Sequence, residues 1–217
     1  MTLDLFDDID PIPAAHEPLC DGAMVLRHFA RLEAGNILAD VEAIAQKAAF
    51  RRMETPGGLR MSVATTSCGN VGWVSDRRGY RYDSIDPVSG QPWPRMPESF
   101  FALAGRAAAL AGFDGFAPDA CLINRYDPGA KLSLHQDKDE RSLDHPIVSV
   151  SLGMSAMFLF GGMKRSDSAM RIPLMHGDVV VWGGPARLRY HGVLPVKEKP
   201  HSLTGSRRIN LTFRKAM

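Results

Sequence analysis

The sequence predicts a mainly β chain with flanking helices, its strands packed as the two sheets of a jelly roll. Three observations carry this. After residue 119, eight short runs (120–126, 131–137, 147–152, 156–160, 170–174, 178–182, 187–191 and 207–214) are separated by turn residues. Apolar residues at helical spacing occur earlier, over 32–50 and 97–111. The last run, Arg208-Ile209-Asn210-Leu211-Thr212-Phe213-Arg214, alternates polar and apolar residues without a break, the period of a strand.

Taken in order, residues 1–20 are proline-containing and acidic and are expected to be loosely ordered. The start, Met1-Thr2-Leu3-Asp4-Leu5-Phe6-Asp7-Asp8, lacks a signal-peptide pattern. Residues 32–50 carry Leu, Ile, Val and Ala at helical spacing and predict an amphipathic helix. Residues 55–95 are turn-rich, with Thr55-Pro56-Gly57-Gly58 and Cys68-Gly69-Asn70-Val71-Gly72-Trp73 followed by Arg77, Arg78, Tyr80, Arg81 and Tyr82. Aromatics interleaved with arginines can stack bases and touch phosphates. Read from the residues alone, a surface hairpin with cross-strand aromatic pairs is the simpler account. Residues 97–111 open on Pro-Glu and are alanine-rich, a second helix.

Within the β half, Asn124 and Tyr126 share one face of their strand. After the turn Asp127-Pro128-Gly129, alternation places Leu132 and Leu134 on one face and Ser133, His135 and Asp137 on the other. The most apolar stretch, 147–163, is interrupted by serines and glycines and reads as two buried strands, not a membrane span.

A chain of 217 residues fits one large domain or two small ones and can bury a sizeable core. We expect a single domain over 21–217. The net charge of +2 permits a nucleic-acid partner without demanding one. Cys20, Cys68 and Cys121 show no CxxC spacing and suit a reducing cytoplasm better than a disulfide framework.

The chemistry concentrates in two segments. His135 and Asp137 with His191 form the ligand set, two imidazoles and one carboxylate, that holds a ferrous ion and leaves positions open. The His-x-Asp pattern recurs in His176-Gly177-Asp178, but that pair leads straight into Val179-Val180-Val181-Trp182 and reads as a turn entering a strand. In the last segment, Arg208, Asn210, Thr212 and Arg214 share a face suited to a small dicarboxylate, because the guanidinium fork binds carboxylates bidentately. A bland outer strand would show the same alternation. Six residues of strand span about 20 Å, so the two arginines must converge through their side chains or serve different groups. Together the segments suggest an iron enzyme that uses an organic acid to activate oxygen.

The runs 124–140, 147–153, 176–184, Tyr190-His191-Gly192 and 208–214 resemble the AlkB family of iron- and 2-oxoglutarate-dependent dioxygenases, which repair alkylated nucleic acids. The similarity runs from about residue 20 to the end. The resemblance implies a double-stranded β-helix with Fe(II) held by His135, Asp137 and His191, and 2-oxoglutarate and O2 at the open positions. It implies that Arg208 pairs with the distal carboxylate, aided by Tyr126 and Asn210, and that Asn124 and Arg214 lie near the carboxylate at the metal. Ser149 is expected to line the pocket or simply to pack; Trp182 is expected in the core. Residues 55–95 become a nucleotide-recognition lid, with Trp73, Tyr80 and Tyr82 at the damaged base, and with Asp139 an acidic and Arg165 a basic substrate contact. Lys131, Lys138 and Lys164 could serve phosphates or be merely solvated. The implied reaction demethylates 1-methyladenine and 3-methylcytosine, releasing succinate, CO2 and formaldehyde. The implied substrates are alkylated single- and double-stranded DNA, with RNA as a further one, and the implied enzyme is a cytoplasmic monomer. Leu59 and Thr65 depart from the tyrosine and methionine of the family's best-known sequence, which bears on lesion preference. Two rival readings remain: a 2-oxoglutarate oxygenase of small molecules or proteins, and a non-enzymatic jelly roll with a structural metal, which would need a fourth ligand.

Overall fold

The computed structural model describes residues 16–217, so the acidic start lies outside the described residues. All strand pairing is antiparallel. Strands β1 (His16–Cys20), β2 (Ala23–Leu26), β3 (Ala64–Gly69), β6 (Ala120–Tyr126), β8 (Ile147–Gly153), β11 (Val179–Trp182) and β13 (Arg208–Arg214) form one sheet, in the order β1-β2-β11-β8-β13-β6-β3. Strands β7 (Leu132–His135), β9 (Ala156–Phe160), β10 (Met170–Leu174) and β12 (His191–Val193) form a second, in the order β10-β9-β12-β7. Strands β4 (Gly72–Asp76) and β5 (Gly79–Asp83) form a separate hairpin. The last eight strands thus divide four and four between two sheets, the jelly-roll arrangement, while β1–β2 and β3 extend the larger sheet at its edges.

Alternation along the larger sheet sorts its side chains into two cores. Ile123, Val148, Val150, Val179, Ile209, Leu211 and Phe213 point outward and meet α1 (Ala34–Lys47) and α2 (Glu98–Leu110). Helix α1 presents Ala34, Ile37, Val41 and Ile44 on one stripe, and α2 presents Phe100, Leu103, Ala104, Ala107 and Ala108. Helix α2 ends in a Schellman turn: Phe113 N–H donates to Ala108 O, Gly112 N–H donates to Ala109 O, and Gly112 has φ +84°. On the opposite face, Tyr126, Val180 and Trp182 meet Phe158, Phe160 and Val193 of the smaller sheet. The polar face of β13 therefore looks into the space between the sheets.

Several boundaries differ from the sequence reading. Residues His16–Cys20, placed in a loosely ordered segment, form β1 and pair with β2. The run 187–191 is not a strand; the chain turns through residues 184–190, and β12 begins only at His191. The outer strand that β13 could have been is a central strand buried on both faces.

Strand β7 also ends at His135, before Asp137, and its register against β12 shifts: His191 lies opposite His135, but Val193 lies opposite Leu132. The strand thus holds one extra residue, a bulge, which reverses the inside-outside alternation. Leu132, expected to face away from His135, lines the same cavity. The bulge rests on Gly192, where a Cβ would lie 2.7 Å from Leu132 O and 3.1 Å from Leu134 N. Gly192→Ala is expected to push β7 away, costing about 1–3 kcal/mol as overpacking does, and to weaken metal binding through displaced His135. Thermal melts with and without Fe(II) check this; an unchanged metal-induced rise in Tm refutes it.

Candidate active site

The space between the sheets opens as a cavity of about 230 Å³. It is lined by His135, Asp137, His191, Asn124, Tyr126, Arg208, Asn210 and Arg214, and by Ser149, Trp182, Trp73, Tyr80, Tyr82, Lys138 and Asp139. The structure thus brings nearly all sequence-predicted site residues together. Arg165, Lys131 and Lys164 are exposed and lie outside the lining.

His135 and His191 face each other across β7 and β12, their ring centroids 4.4 Å apart. The two Nε2 atoms each lie 3.5 Å from a different Asp137 oxygen. One ligand atom from each of the three lies within 4.8 Å of the others. Such separations are long for hydrogen bonds and close to those of neighbouring ligands each about 2 Å from one cation. The tautomers agree. His135 Nδ1 lies 2.9 Å from Ser133 O, and His191 Nδ1 lies 3.0 Å from Arg189 O. A carbonyl accepts only from N–H, so each Nδ1 carries the proton and each Nε2 turns a lone pair inward. Burial opposes the charge on Asp137, but Arg214, then His191 and His135, hold its carboxyl well below the usual range. The residues present fit a ferrous ion, with no fourth protein ligand in the cluster among the described residues.

The second half of the cavity is a polar ladder on β6, β8 and β13. Arg208 pairs in register with Tyr126, Asn210 with Asn124 and Ser151, and Thr212 with Ser149. Asn210 Nδ2 donates to Ser149 Oγ and Val150 O, each at 2.9 Å, and its Oδ1 accepts from Thr212 Oγ1 at 3.2 Å and Asn124 Nδ2 at 3.3 Å. Arg208 is 1% exposed, donates through Nη2 to Ser151 Oγ at 2.9 Å, and lies over the Tyr126 ring at 4.8 Å. Its Nε and Nη1 are buried without a partner, and no carboxylate among the described residues pairs with it. Burial accordingly pushes its guanidinium below the ordinary value, against the pull of Tyr126. A buried cation with two free donors is costly unless an anion completes it.

Arg214 has a different job. Its Nη2 lies 2.5 Å from Asp137 Oδ2, and its Nε lies 3.2 Å from Glu140 Oε1. Of the two options the strand length left open, the arginines serve different groups. Two residues of this network were missed from the sequence. Glu140 is buried; it accepts from Tyr82 OH at 2.8 Å and pairs with Arg187 Nη2 at 2.9 Å. Arg187 also donates to Asp137 O at 2.6 Å and His145 O at 3.0 Å. The available signal was the run Asp137-Lys138-Asp139-Glu140, whose last acid alternation alone does not turn inward.

At the mouth, Trp73 and Tyr80 stack with centroids 5.5 Å apart and planes 13° from parallel, as the hairpin account predicts. Trp73 Nε1 donates to Asp139 Oδ2 at 2.8 Å, tying hairpin to metal loop. Tyr82 lines the cavity as well, and its hydroxyl donates to Glu140 Oε1. Trp182 is buried in the core and also lines the cavity, its ring 4.9 Å from that of His191. Of the two departures, Leu59 is exposed and outside the lining, while Thr65 is buried in it, opposite Asn124, with its hydroxyl unpartnered.

Comparison with known proteins agrees with this geometry. The family model described as the 2OG-Fe(II) oxygenase superfamily matches residues 22–214. The chain is 57% identical over 214 residues to the alpha-ketoglutarate-dependent dioxygenase AlkB of Escherichia coli (strain K12), covering 99% of this chain and 98% of the relative. It is 44% identical over 180 residues to an AlkB homolog of Caulobacter vibrioides, covering 81% and 80%. The solved structure of OsALKBH1 superposes with a TM-score of 0.83 at 29% identity, covering 93% of this chain and 100% of that one.

Proposed function

Because the chain belongs to the 2OG-Fe(II) oxygenase superfamily and, within it, to the AlkB dioxygenases, we propose that this cavity repairs 1-methyladenine and 3-methylcytosine. The enzyme is an Fe(II)- and 2-oxoglutarate-dependent dioxygenase that demethylates alkylated nucleic acid. Bound iron and 2-oxoglutarate supply the oxidation: with O2, the cosubstrate decarboxylates to succinate and CO2 while the N-methyl group is hydroxylated and lost as formaldehyde.

The chain's residues do the rest. His135, Asp137 and His191 would hold the iron, the Nε2 atoms of the two imidazoles kept free of protons by the carbonyls behind them. Arg208 would take the distal carboxylate of 2-oxoglutarate, with Tyr126 and Asn210 beside it, and Asn124 would face the metal-side carboxylate. Arg214 steadies Asp137 and, lining the same cavity, would lie near the metal-side carboxylate. The observation that carries this reading is the unpartnered Arg208 guanidinium in the same cavity as the metal set. Trp73, Tyr80 and Asp139 would frame the damaged base, and the exposed Arg165 would meet the strand outside the cavity. Single strands reach the cavity directly; a lesion in a duplex must first be extruded, at a cost of a few kcal/mol. A cytoplasmic monomer completes the reading. Among the described residues, no helix is long and apolar enough to cross a membrane.

Fe(II), 2-oxoglutarate and a panel of methylated DNA and RNA strands, with formaldehyde and succinate measured together, test it. Formaldehyde stoichiometric with succinate is expected. Succinate without formaldehyde on every strand would favour an oxygenase of small molecules or proteins instead.

Lesion choice gives a sharper test. Methylation at N1 of adenine or N3 of cytosine leaves the base cationic, and a carboxylate at a partly dry mouth favours a cation. Asp139 stands there, held by Trp73, although it leaves strand geometry at His135 rather than continuing it. Asp139→Ala is expected to slow repair of these two lesions more than that of neutral 1-methylguanine and 3-methylthymine. An equal fall in all four rates, or none, removes the electrostatic explanation.

A further inference from the structure

Residues 136–146 carry Asp137 but belong to no strand. Outside the sheets, the backbone–backbone hydrogen bond they form is Arg141 N–H to Ala216 O at 3.0 Å. A metal ligand has to be held within about 0.5 Å of its working place, so something other than strand pairing holds this one. The turn through residues 184–190 is the opposite case. Its N–H groups at Ala186, Arg187 and Arg189 donate back to the carbonyls of Gly183, Gly184 and Ala186, and Tyr190 N–H donates to Gly162 O. We propose that this turn is the frame that sets the metal ligands, and that Arg187 is its positioning residue, acting through the backbone of Asp137. The proposal rests on the reading of His135, Asp137 and His191 as the metal set.

Three consecutive residues of the turn reach that set. Arg187 is 3% exposed and sends each guanidinium nitrogen to a different part of the loop. Nη1 donates to Asp137 O at 2.6 Å, Nε donates to His145 O at 3.0 Å, and Nη2 pairs with Glu140 Oε2 at 2.9 Å. Leu188 O accepts from Gln136 Nε2 at 2.6 Å. Arg189 O holds His191 Nδ1 at 3.0 Å. One hydrogen-bonded segment therefore fixes Asp137, the residue before it and His191 relative to one another.

Arg214 does not duplicate this hold. It grips the Asp137 carboxylate and so sets how the side chain is turned. Arg187 grips the peptide carbonyl and sets where the backbone stands. The contact is charge-assisted and shielded from water, which makes it stronger than a neutral surface bond. The work suits arginine alone, because its planar fork offers separate donors in fixed directions, whereas lysine places one nitrogen where three stood. Losing Arg187 does not leave a bare buried acid: Glu140 Oε1 keeps Tyr82 OH at 2.8 Å and Arg214 Nε at 3.2 Å.

The test reads metal affinity rather than turnover. The full chain, free of metal, is titrated anaerobically with Fe(II) by calorimetry and melted without metal. Arg187→Met should weaken Fe(II) binding about tenfold or more, the range for loss of a group that orients a ligand. Arg187→Lys keeps a cation beside Glu140, so it should recover the metal-free Tm more fully than the affinity. In an Asp137→Ala background the same substitutions should change affinity by less than about twofold, because the effect runs through that residue. A residue needed for stability alone would lower the metal-free Tm and leave the folded protein with wild-type affinity; that result overturns the proposal, as does an equal loss of affinity in both backgrounds. If Arg187→Met does not fold, Arg187→Lys decides by the same criteria. Wild-type affinity in Asp137→Ala itself removes the metal set, and this proposal with it, whatever the Arg187 variants do.

Discussion

Replacing Asp137 by alanine is expected to reduce formaldehyde release to background and Fe(II) affinity by about a hundredfold or more. Loss of an outer partner of a metal ligand already costs about 10–100-fold, and Asp137 would itself be one of three ligands, with no fourth in the cluster among the described residues. A second effect follows from Arg214. In the native protein this buried guanidinium lies against Asp137 at 2.5 Å and Glu140 at 3.2 Å. Removing one partner of a buried pair costs about 3–5 kcal/mol; the remaining Glu140 places this case at the low end. The metal-free variant should therefore melt lower than metal-free wild type. Asp137→Asn separates the effects, since it keeps the shape and can still face Arg214 through its carbonyl. It should recover part of the stability and none of the turnover. Near-wild-type turnover in either variant would refute the assignment of Asp137 as a ligand.

The sequence made His135 and Asp137 legible as a pair because they are close in the chain and share a strand period, whereas His191, far along the chain on β12, joined them by ligand type and family resemblance. His135 and Asp137 were placed together by alternation, and the conclusion survives although its premise does not. Strand β7 stops at His135, and a bulge at residues 133–134 reverses the face of Leu132. A bulge depends on which residue of the partner strand approaches, here Gly192, and pairwise register is invisible in a single strand's pattern. The same holds for Glu140 and Arg187. An acid in a charged turn and an arginine after Pro185 carry no local mark of burial, yet tertiary packing buries them together with Tyr82. Helix α2 and strands β6, β9 and β10 were placed within one residue at each end, because caps, turns and apolar runs mark them locally. Strands β1 to β5 were not read individually: Thr, Ser, Gly and Trp in β3 and β4 carry weak alternation, and their positions are fixed by the larger sheet and the hairpin.

Arg208 carries the second large effect, and it combines two opposite signs. In the protein without cosubstrate, its guanidinium is buried with Nε and Nη1 unpartnered, relieved only by Ser151 and the Tyr126 ring. An unpaired buried charge destabilises, and replacing it by an apolar side chain of similar volume is commonly neutral or favourable. Arg208→Met should therefore leave the cosubstrate-free melting temperature unchanged or raise it. The same change would remove the proposed bidentate partner of the 2-oxoglutarate carboxylate, worth about 2–5 kcal/mol for a buried charge pair, or roughly 30-fold or more in affinity. The KM for 2-oxoglutarate should rise by at least that factor while Fe(II) binding persists. A residue present only for packing would show the reverse: lower stability and unchanged cosubstrate affinity. That outcome would remove Arg208 from the cosubstrate site, and with it the observation on which the proposed chemistry chiefly rests.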